Sequence, residues 1–414
     1  MKLVFWLSLI AILYSYAAYP AVIWILSRLR PNPWKTAPIN PSVSVVLAVH
    51  NGIKLLPGKI RRLLRLDYSN IKEIIVVSDG STDGTEELLA RQHQSVLKTI
   101  FLKEHCGKAA ALNAGVREAT ADVIVFQDLR PEPASGAIQQ LVGNFADPEV
   151  GCAAGELILR REGSEANSEA VSGLYWRYEK WIRKCESAFD SPVGVSGCLY
   201  AIRRNLFVQQ PDGLILDDMF QPLSIIRQGY RSVLDPLACV YDILPEKVAG
   251  EFHRKVRTLA GNFQLFQLAP WTLSPRNRVF FQLVSHKVIR LIVPYLLVLL
   301  LVSSAALTGQ SPAYGFFAAL ESLGLIGALI GLRYEIPVLH RVLAPCSALL
   351  VLNAAAVVGL YKFLFTSGPL WKIWNKNSSA SVSTIDEEDF AKPESVDSHA
   401  VIEVGECSSR INSH

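Results

Sequence analysis

The chain opens on an apolar run, residues 3–26, long enough to cross a bilayer as a single helix. Pro31, Pro33, Pro38 and Pro41 follow and predict a stiff linker. The pattern then changes to short apolar runs that stop at turn residues and alternate with stretches of helical spacing. Residues 43–49, 73–77, 98–102 and 123–126 read as strands; 55–66, 85–93 and 109–117 read as helices, the first with basic residues along one face. Alternation of this kind predicts an α/β domain whose central sheet is rich in parallel strands and covered by helices. Beyond Gly151 the alternation becomes irregular. Residues 175–184, YWRYEKWIRK, predict an amphipathic helix, for which core packing and a role at the membrane surface or in an acceptor groove both fit. Residues 252–268 interleave Arg254, Lys255 and Arg257 with Phe252, Leu259, Phe263 and Phe266, which predicts an interfacial helix. Three more apolar runs come last, at 288–307, 314–332 and 342–365.

Composition agrees with several membrane spans. Half of the 414 residues are hydrophobic, and the mean hydropathy is +0.26. Only Lys2 precedes the first run while Arg28, Arg30 and Lys35 follow it. That asymmetry favours an uncleaved anchor over a signal peptide and puts its C-terminal side in the cytoplasm of a multi-pass membrane protein. Arg290 and Glu321 lie in or beside the later runs, where charges face a protein interior or the interface. Four spans would carry the C-terminus outside, against the positive-inside expectation for Lys362, Lys372 and Lys376; one run is then interfacial or re-entrant. From residue 377 the chain is Ser-rich and acidic, which predicts disorder. The net charge of +4 gives no argument for nucleic acid. Seven scattered cysteines without a CxxC pair argue against structural zinc and disulfides, as in a reducing compartment.

The chemistry clusters where strands end. Residues 74–85 read IIVVSDGSTDGT, so Asp79 stands at the carboxyl end of a buried strand, the edge where open α/β sheets bind ligands, and Gly80 permits a bend and close approach. Asp83 with Glu86 three residues on predicts a capping box. Asp-Gly also suits a hairpin, but the alternation on both sides argues against one. Residues 123–131, VIVFQDLRP, bring Asp128 to the same sheet edge, either as an oxygen ligand for Mg²⁺ or Mn²⁺ or as a cap of the next turn. Lys108 opens a helix, where its charge opposes the macrodipole; it is either purposeful or an ordinary surface lysine. Asp217 and Asp218 meet at a loop-to-helix junction, as an N-cap pair or as neighbouring carboxylates whose repulsion raises one pKa.

VSVVLAVHNG at 43–52, SDGSTDGT after an apolar strand, GKAAALNAG at 107–115, GVSGCLYAIR at 194–203 and the acidic pair in GLILDDMFQP resemble the family 2 glycosyltransferases, in that order, from about Val43 to Asn262. The resemblance implies a nucleotide-binding, GT-A-like domain at 43–250 flanked by transmembrane helices at 1–27 and 286–366. A linker at 28–42, interfacial helices at 251–285 and a juxtamembrane segment with the tail at 367–414 complete the division. It implies that Ala48, His50, Asn51, Asp79, Lys108, Arg130 and Arg257 face a nucleotide-sugar donor, most simply a UDP-sugar, and that Asp128 holds Mg²⁺ or Mn²⁺. Asp218 would be the catalytic base and Asp217 its partner, with 194–203 shaping the acceptor pocket. Family members carry Asp-x-Asp where this chain has Asp128 and Arg130. Either one Asp suffices beside phosphate and water, or Arg130 shares the charge neutralisation. The Gln and Trp of the processive motif are absent around Arg254, Arg257 and Thr258, which argues against long-chain synthesis. The expected activity is inverting transfer to a glycan or a lipid-linked acceptor, with membrane lipids as partners. Two rivals are a transferase loading polyprenyl phosphate and a non-catalytic glycosyltransferase-like subunit.

Overall fold

The computed structural model describes residues 1–160, 174–243, 248–334, 340–366, 370 and 402–404. The chain forms two compact units. One holds residues 1–33, 174–193 and 248–366; the other holds 34–160, 194–243 and 402–404.

In chain order, helices α1 (Lys2–Leu13) and α2 (Tyr19–Leu29) join through a π-helical turn, Tyr14–Ala18. The sheet unit begins with β1 (Val43–Val49), α3 (Leu56–Leu63), β2 (Ile71–Asp79), α4 (Thr85–Ala90) and β3 (Leu97–Leu102). It continues through α5 (Lys108–Glu118), β4 (Val123–Gln127), β5 (Glu132–Pro133), α6 (Ala137–Gly143) and β6 (Val150–Arg160). Helix α7 (Leu174–Phe189) belongs to the other unit, and the sheet resumes with β7 (Leu199–Arg203), α8 (Asp217–Arg227) and β8 (Arg231–Ile243). Helices α9 (Val248–Leu268), α10 (Phe280–Leu283), α11 (Ile289–Leu307), α12 (Pro312–Arg333) and α13 (His340–Phe365) follow, then a short β9 (Ile402–Val404).

The strands form one sheet in the order β5-β8-β6-β7-β4-β1-β2-β3-β9. β1 pairs in parallel with β2 and β4, and β2 with β3, so four carboxyl ends share one edge. β7 is antiparallel to both β4 and β6. Alternate residues serve opposite faces, as the strand period requires. Val45, Leu47, Ile74, Val76 and Val125 pack with α3 and α6, while Val46, Ile75, Val77, Ile124 and Phe126 pack with α5 and Ile225 of α8. The chain runs outward from β1 to β3 and then returns to β4 on the other side of β1. That reversal opens a crevice at the carboxyl ends of β1 and β4.

The opposite edge is tied by Glu73. Its Oε1 accepts from Ser44 Oγ (2.6 Å) and Thr120 N (2.6 Å), and its Oε2 pairs with Lys98. Burial opposes the carboxylate charge, but the hydrogen bonds from Lys98, Ser44 and Thr120 prevail and lower its pKa to about 2.

Two expectations change. Thr85 starts α4 behind Gly84, whose φ is +94°, and Asp83 accepts from Thr85 N (3.1 Å) and Ile53 N (3.0 Å). Glu86 accepts from Ser78 Oγ (3.1 Å), so no capping box closes; Asp83 is drawn to a neighbouring loop. In the acidic tail, expected to be disordered, Ile402–Val404 pairs in parallel with β3, where the sheet edge offers unpaired backbone groups. The rest of the tail beyond residue 377 lies outside the described residues.

In the other unit, four helices among the described residues are long and apolar enough to cross a membrane: Lys2–Leu29, Phe280–Leu307, Pro312–Arg333 and Leu343–Phe365. Helix α7 packs within this unit, its Ile182 and Cys185 buried with Tyr19 and Ile23 of α2. Its Glu179 and Glu186 reach His286, at Nε2 (3.0 Å) and Nδ1 (2.8 Å), and Glu179 also pairs with Arg290. Tyr19 donates to Glu186 (2.6 Å), and Tyr14 bonds Ser285 (2.7 Å). Tyr14 and Ser285 lie in the two π-helical turns, Tyr14–Ala18 and Val284–Val288. Burial disfavours the charge of Glu179, but His286 and Arg290 outweigh it and hold the carboxyl well below its ordinary range. Arg290 thus faces a protein interior, as its position in an apolar run predicts.

Candidate active site

Asp79 ends β2, buried, with its carboxylate fully engaged. Oδ1 accepts from Cys106 N (2.7 Å), and Oδ2 from Gly107 N (2.9 Å) and His105 Nδ1 (2.7 Å). Gly107, with φ +93°, is the cap that starts α5 at Lys108. Asp79 therefore fixes the turn that aims Lys108. Gly80 at φ +57° lets this turn approach, since a Cβ there would collide with the backbone of Glu104 and His105.

The loop after β1 closes the same corner. His50 Nδ1 donates to the Asp79 carbonyl (2.7 Å), which leaves Nε2 to accept from Asn51 Nδ2 (3.2 Å). Asn51, at φ +50°, also takes the amide of Thr82 (2.8 Å) on its Oδ1. The rings of His50 and His105 stack at 3.6 Å with planes 10° apart. Ala48 is half-buried just before this loop. The two imidazoles form a flat platform beside Asp79, and His105 went unremarked in the sequence; its place in EHCGK directly before Lys108 was the available signal.

Across the crevice, Asp128 follows β4 and Asp217 opens α8. Lys108 Nζ lies 2.9 Å from Asp128 Oδ1 and 3.2 Å from Asp217 Oδ2. Burial works against the ammonium charge, but Asp128 and Asp217 more than compensate and raise the Lys108 pKa above its ordinary value. The helix cap of α8 is Leu216, and neither aspartate caps it through its side chain. Asp217 is 4% exposed. Asp218, beside it, is half-buried, and its carbonyl accepts from Val195 N (2.9 Å). Gly197 backs onto the Asp218 carboxylate, where a Cβ would come within 3.4 Å. The segment 194–198 therefore shapes the surroundings of Asp218.

Arg130 turns elsewhere. Its Nε and Nη2 each donate to Asp242 of β8 at 2.6 Å, a bidentate pair that secures the loop after β4. Asp242 was missed because it lies 112 residues away in an irregular stretch. Arg257 is exposed on α9, in the other unit.

A hard divalent cation fits this corner. Two carboxylates converge on one positive charge, and Asp217 Oδ2 is buried without a hydrogen bond among the described residues. No cluster of three or more acidic, His or Cys ligands occurs among the described residues, so remaining positions would fall to phosphate oxygens and water.

Residues 44–207 match the family model described as glycosyl transferase family 2. The chain carries a family 2 glycosyltransferase domain. Poly-beta-1,6-N-acetyl-D-glucosamine synthase of Staphylococcus aureus is 25% identical over 228 residues, 54% of this chain and 55% of that protein. The Staphylococcus epidermidis synthase of the same name is 22% identical over 275 residues, 62% of this chain and 66% of that one. The chain thus spans about half the length of the first curated relatives it matches. Among solved structures, a mannosyltransferase from Pyrobaculum calidifontis, in complex with GDP-Man and Mn²⁺, superposes with a TM-score of 0.66 at 24% identity, covering 87% of this chain and 99% of that one. That likeness establishes the GT-A-like architecture of the glycosyltransferase domain. The segment that matches the family model, 44–207, contains the corner built by His50, Asp79, Lys108 and Asp128.

Proposed function

We propose that this chain is a membrane-embedded, inverting glycosyltransferase that moves a sugar from a UDP-sugar to a glycan or lipid-linked acceptor. The observation that carries the reading is the convergence of Lys108, Asp128 and Asp217 at the carboxyl edge of the parallel strands, the first two of them inside the segment that matches the family 2 model. The similarity to poly-beta-1,6-N-acetyl-D-glucosamine synthases supports a glycan product.

The base of the donor lies against the His50–His105 platform, and Asn51 keeps the loop in register. Mg²⁺ or Mn²⁺ held at Asp128 would neutralise the departing diphosphate. Asp218, which keeps solvent access where Asp217 does not, accepts the proton of the acceptor hydroxyl. That oxygen forms its bond to the anomeric carbon opposite the leaving diphosphate, which inverts the configuration. The cationic residues after the first span favour a cytoplasmic catalytic domain.

The test is incubation of the purified protein with a panel of UDP- and GDP-sugars and membrane extract, with products read by mass spectrometry. Transfer from a UDP-sugar supports the reading, and transfer from GDP-sugars alone overturns its choice of donor. Neither transfer nor donor hydrolysis with any nucleotide sugar would point to a non-catalytic subunit.

A further inference from the structure

We propose that Asp128 and Asp217 together form a divalent-cation site, and that Lys108 is the counter-ion this site exchanges for the metal. The inference rests on the glycosyltransferase reading but concerns a ligand and an exchange that the family resemblance does not supply. The position where Asp-x-Asp would offer a second carboxylate holds Arg130, and that guanidinium is committed to Asp242. Asp217 brings a carboxylate to the same point from a different element, the first residue of α8. It is 4% exposed, and its Oδ2 makes no hydrogen bond among the described residues. A buried carboxylate oxygen left this way is unfavourable unless a positive charge faces it. Here the facing charge is Lys108 Nζ at 3.2 Å, which is also 2.9 Å from Asp128 Oδ1.

The placement of Lys108 supports the exchange. It is the first residue of α5, at the end where a cation is disfavoured by the helix macrodipole. The two carboxylates offset that, and Asp79 holds the turn that presents the lysine through the amides of Cys106 and Gly107. The ammonium is a single charge on a flexible stem with three donors. A metal ion takes oxygen ligands from both carboxylates at once, and a metal and the ammonium cannot share that space. When the metal enters, Lys108 leaves its ion pairs, and its charge is released toward the diphosphate of the incoming nucleotide. The single ammonium leaves one negative charge of the two carboxylates uncompensated, and a divalent cation cancels both.

Mn²⁺ alone, without nucleotide, is the probe. Its binding to the purified full-length protein can be read by loss of the free-ion paramagnetic resonance signal. Lys108→Met is expected to bind Mn²⁺ at least about tenfold more tightly than wild type, since the competing charge is gone. Asp128→Asn and Asp217→Asn are each expected to lose about tenfold or more. Lys108→Arg, which retains the charge and protects against loss of fold, should stay within a few-fold of wild type. Mn²⁺ affinity unchanged in Asp217→Asn, or no tighter in a folded Lys108→Met, overturns the proposal. Because the readout involves no sugar, the metal pattern can hold while transfer fails, or fail while transfer persists, and the two readings are separately decided.

Discussion

Asp217 and Asp218 adjoin in the chain yet occupy different surroundings, one buried against Lys108 and the other half-buried beside Gly197. On a helix, neighbouring side chains diverge by about 100°, so only one of the two can face an acceptor. Asp218→Asn is expected to reduce transfer by about 10² to 10⁴-fold, the usual contribution of a positioned base, while UDP affinity stays unchanged. Initial rates and calorimetric titration of UDP check this; a variant within threefold of wild type rules Asp218 out. Asp79, Asp128 and the acidic pair were legible because each ends or begins an element at a turn. The partners of Arg130 and Asp79 were not, since Asp242 and His105 meet them only through the fold. Glu73 gives a pH test. Its pKa falls from 4.5 to about 2 on folding. The stability it adds is present above the unfolded value and is lost as pH falls from about 4.5 toward 2, roughly 3 kcal/mol in all. Glu73→Gln should accordingly unfold with a midpoint that drops less than wild type between pH 5 and pH 3.

At the scale of elements, β1 to β4 followed directly from apolar runs closed by turn residues, and the observed strands extend those runs by a few residues at most. The second half of the sheet was opaque because β7 runs antiparallel between β4 and β6, with α7 of the other unit intervening in sequence. Nor did sequence spacing reveal why α7 is amphipathic: Glu179 and Glu186 are seven residues apart on one face, and their partner His286 lies about a hundred residues on. Buried clusters of this type are costly to break at one member, because the remaining charges stay buried. His286→Gln is expected to cost about 3 to 5 kcal/mol. The check is thermal unfolding of the detergent-purified protein. Adding Glu186→Gln to that variant should recover part of the loss, since Glu186 has lost its imidazole partner while Glu179 keeps Arg290. A single variant as stable as wild type would show that the cluster does not hold α7 to the first two long helices.

For the whole molecule, the decisive property is which side of the bilayer each unit faces. Arg28, Arg30 and Lys35 after the first apolar helix predict that the sheet unit is cytoplasmic. With Phe280–Leu307 and Pro312–Arg333 both crossing, the short connection between them then emerges on the opposite side. Two exposed positions separate these compartments: Lys54, in the sheet unit, and Gln310, between α11 and α12. In a background lacking the seven native cysteines, Lys54→Cys should resist a membrane-impermeant thiol reagent in intact cells and react after permeabilisation. Gln310→Cys should react in both. Labelling of Lys54→Cys in intact cells reverses the topology and with it the cytoplasmic supply of nucleotide sugar. Protection of Gln310→Cys beside a protected Lys54→Cys would instead mean that Phe280–Leu307 does not cross. That outcome would also relieve the conflict posed by Lys362, Lys372 and Lys376, because the remaining parity would return the end of α13 to the cytoplasm.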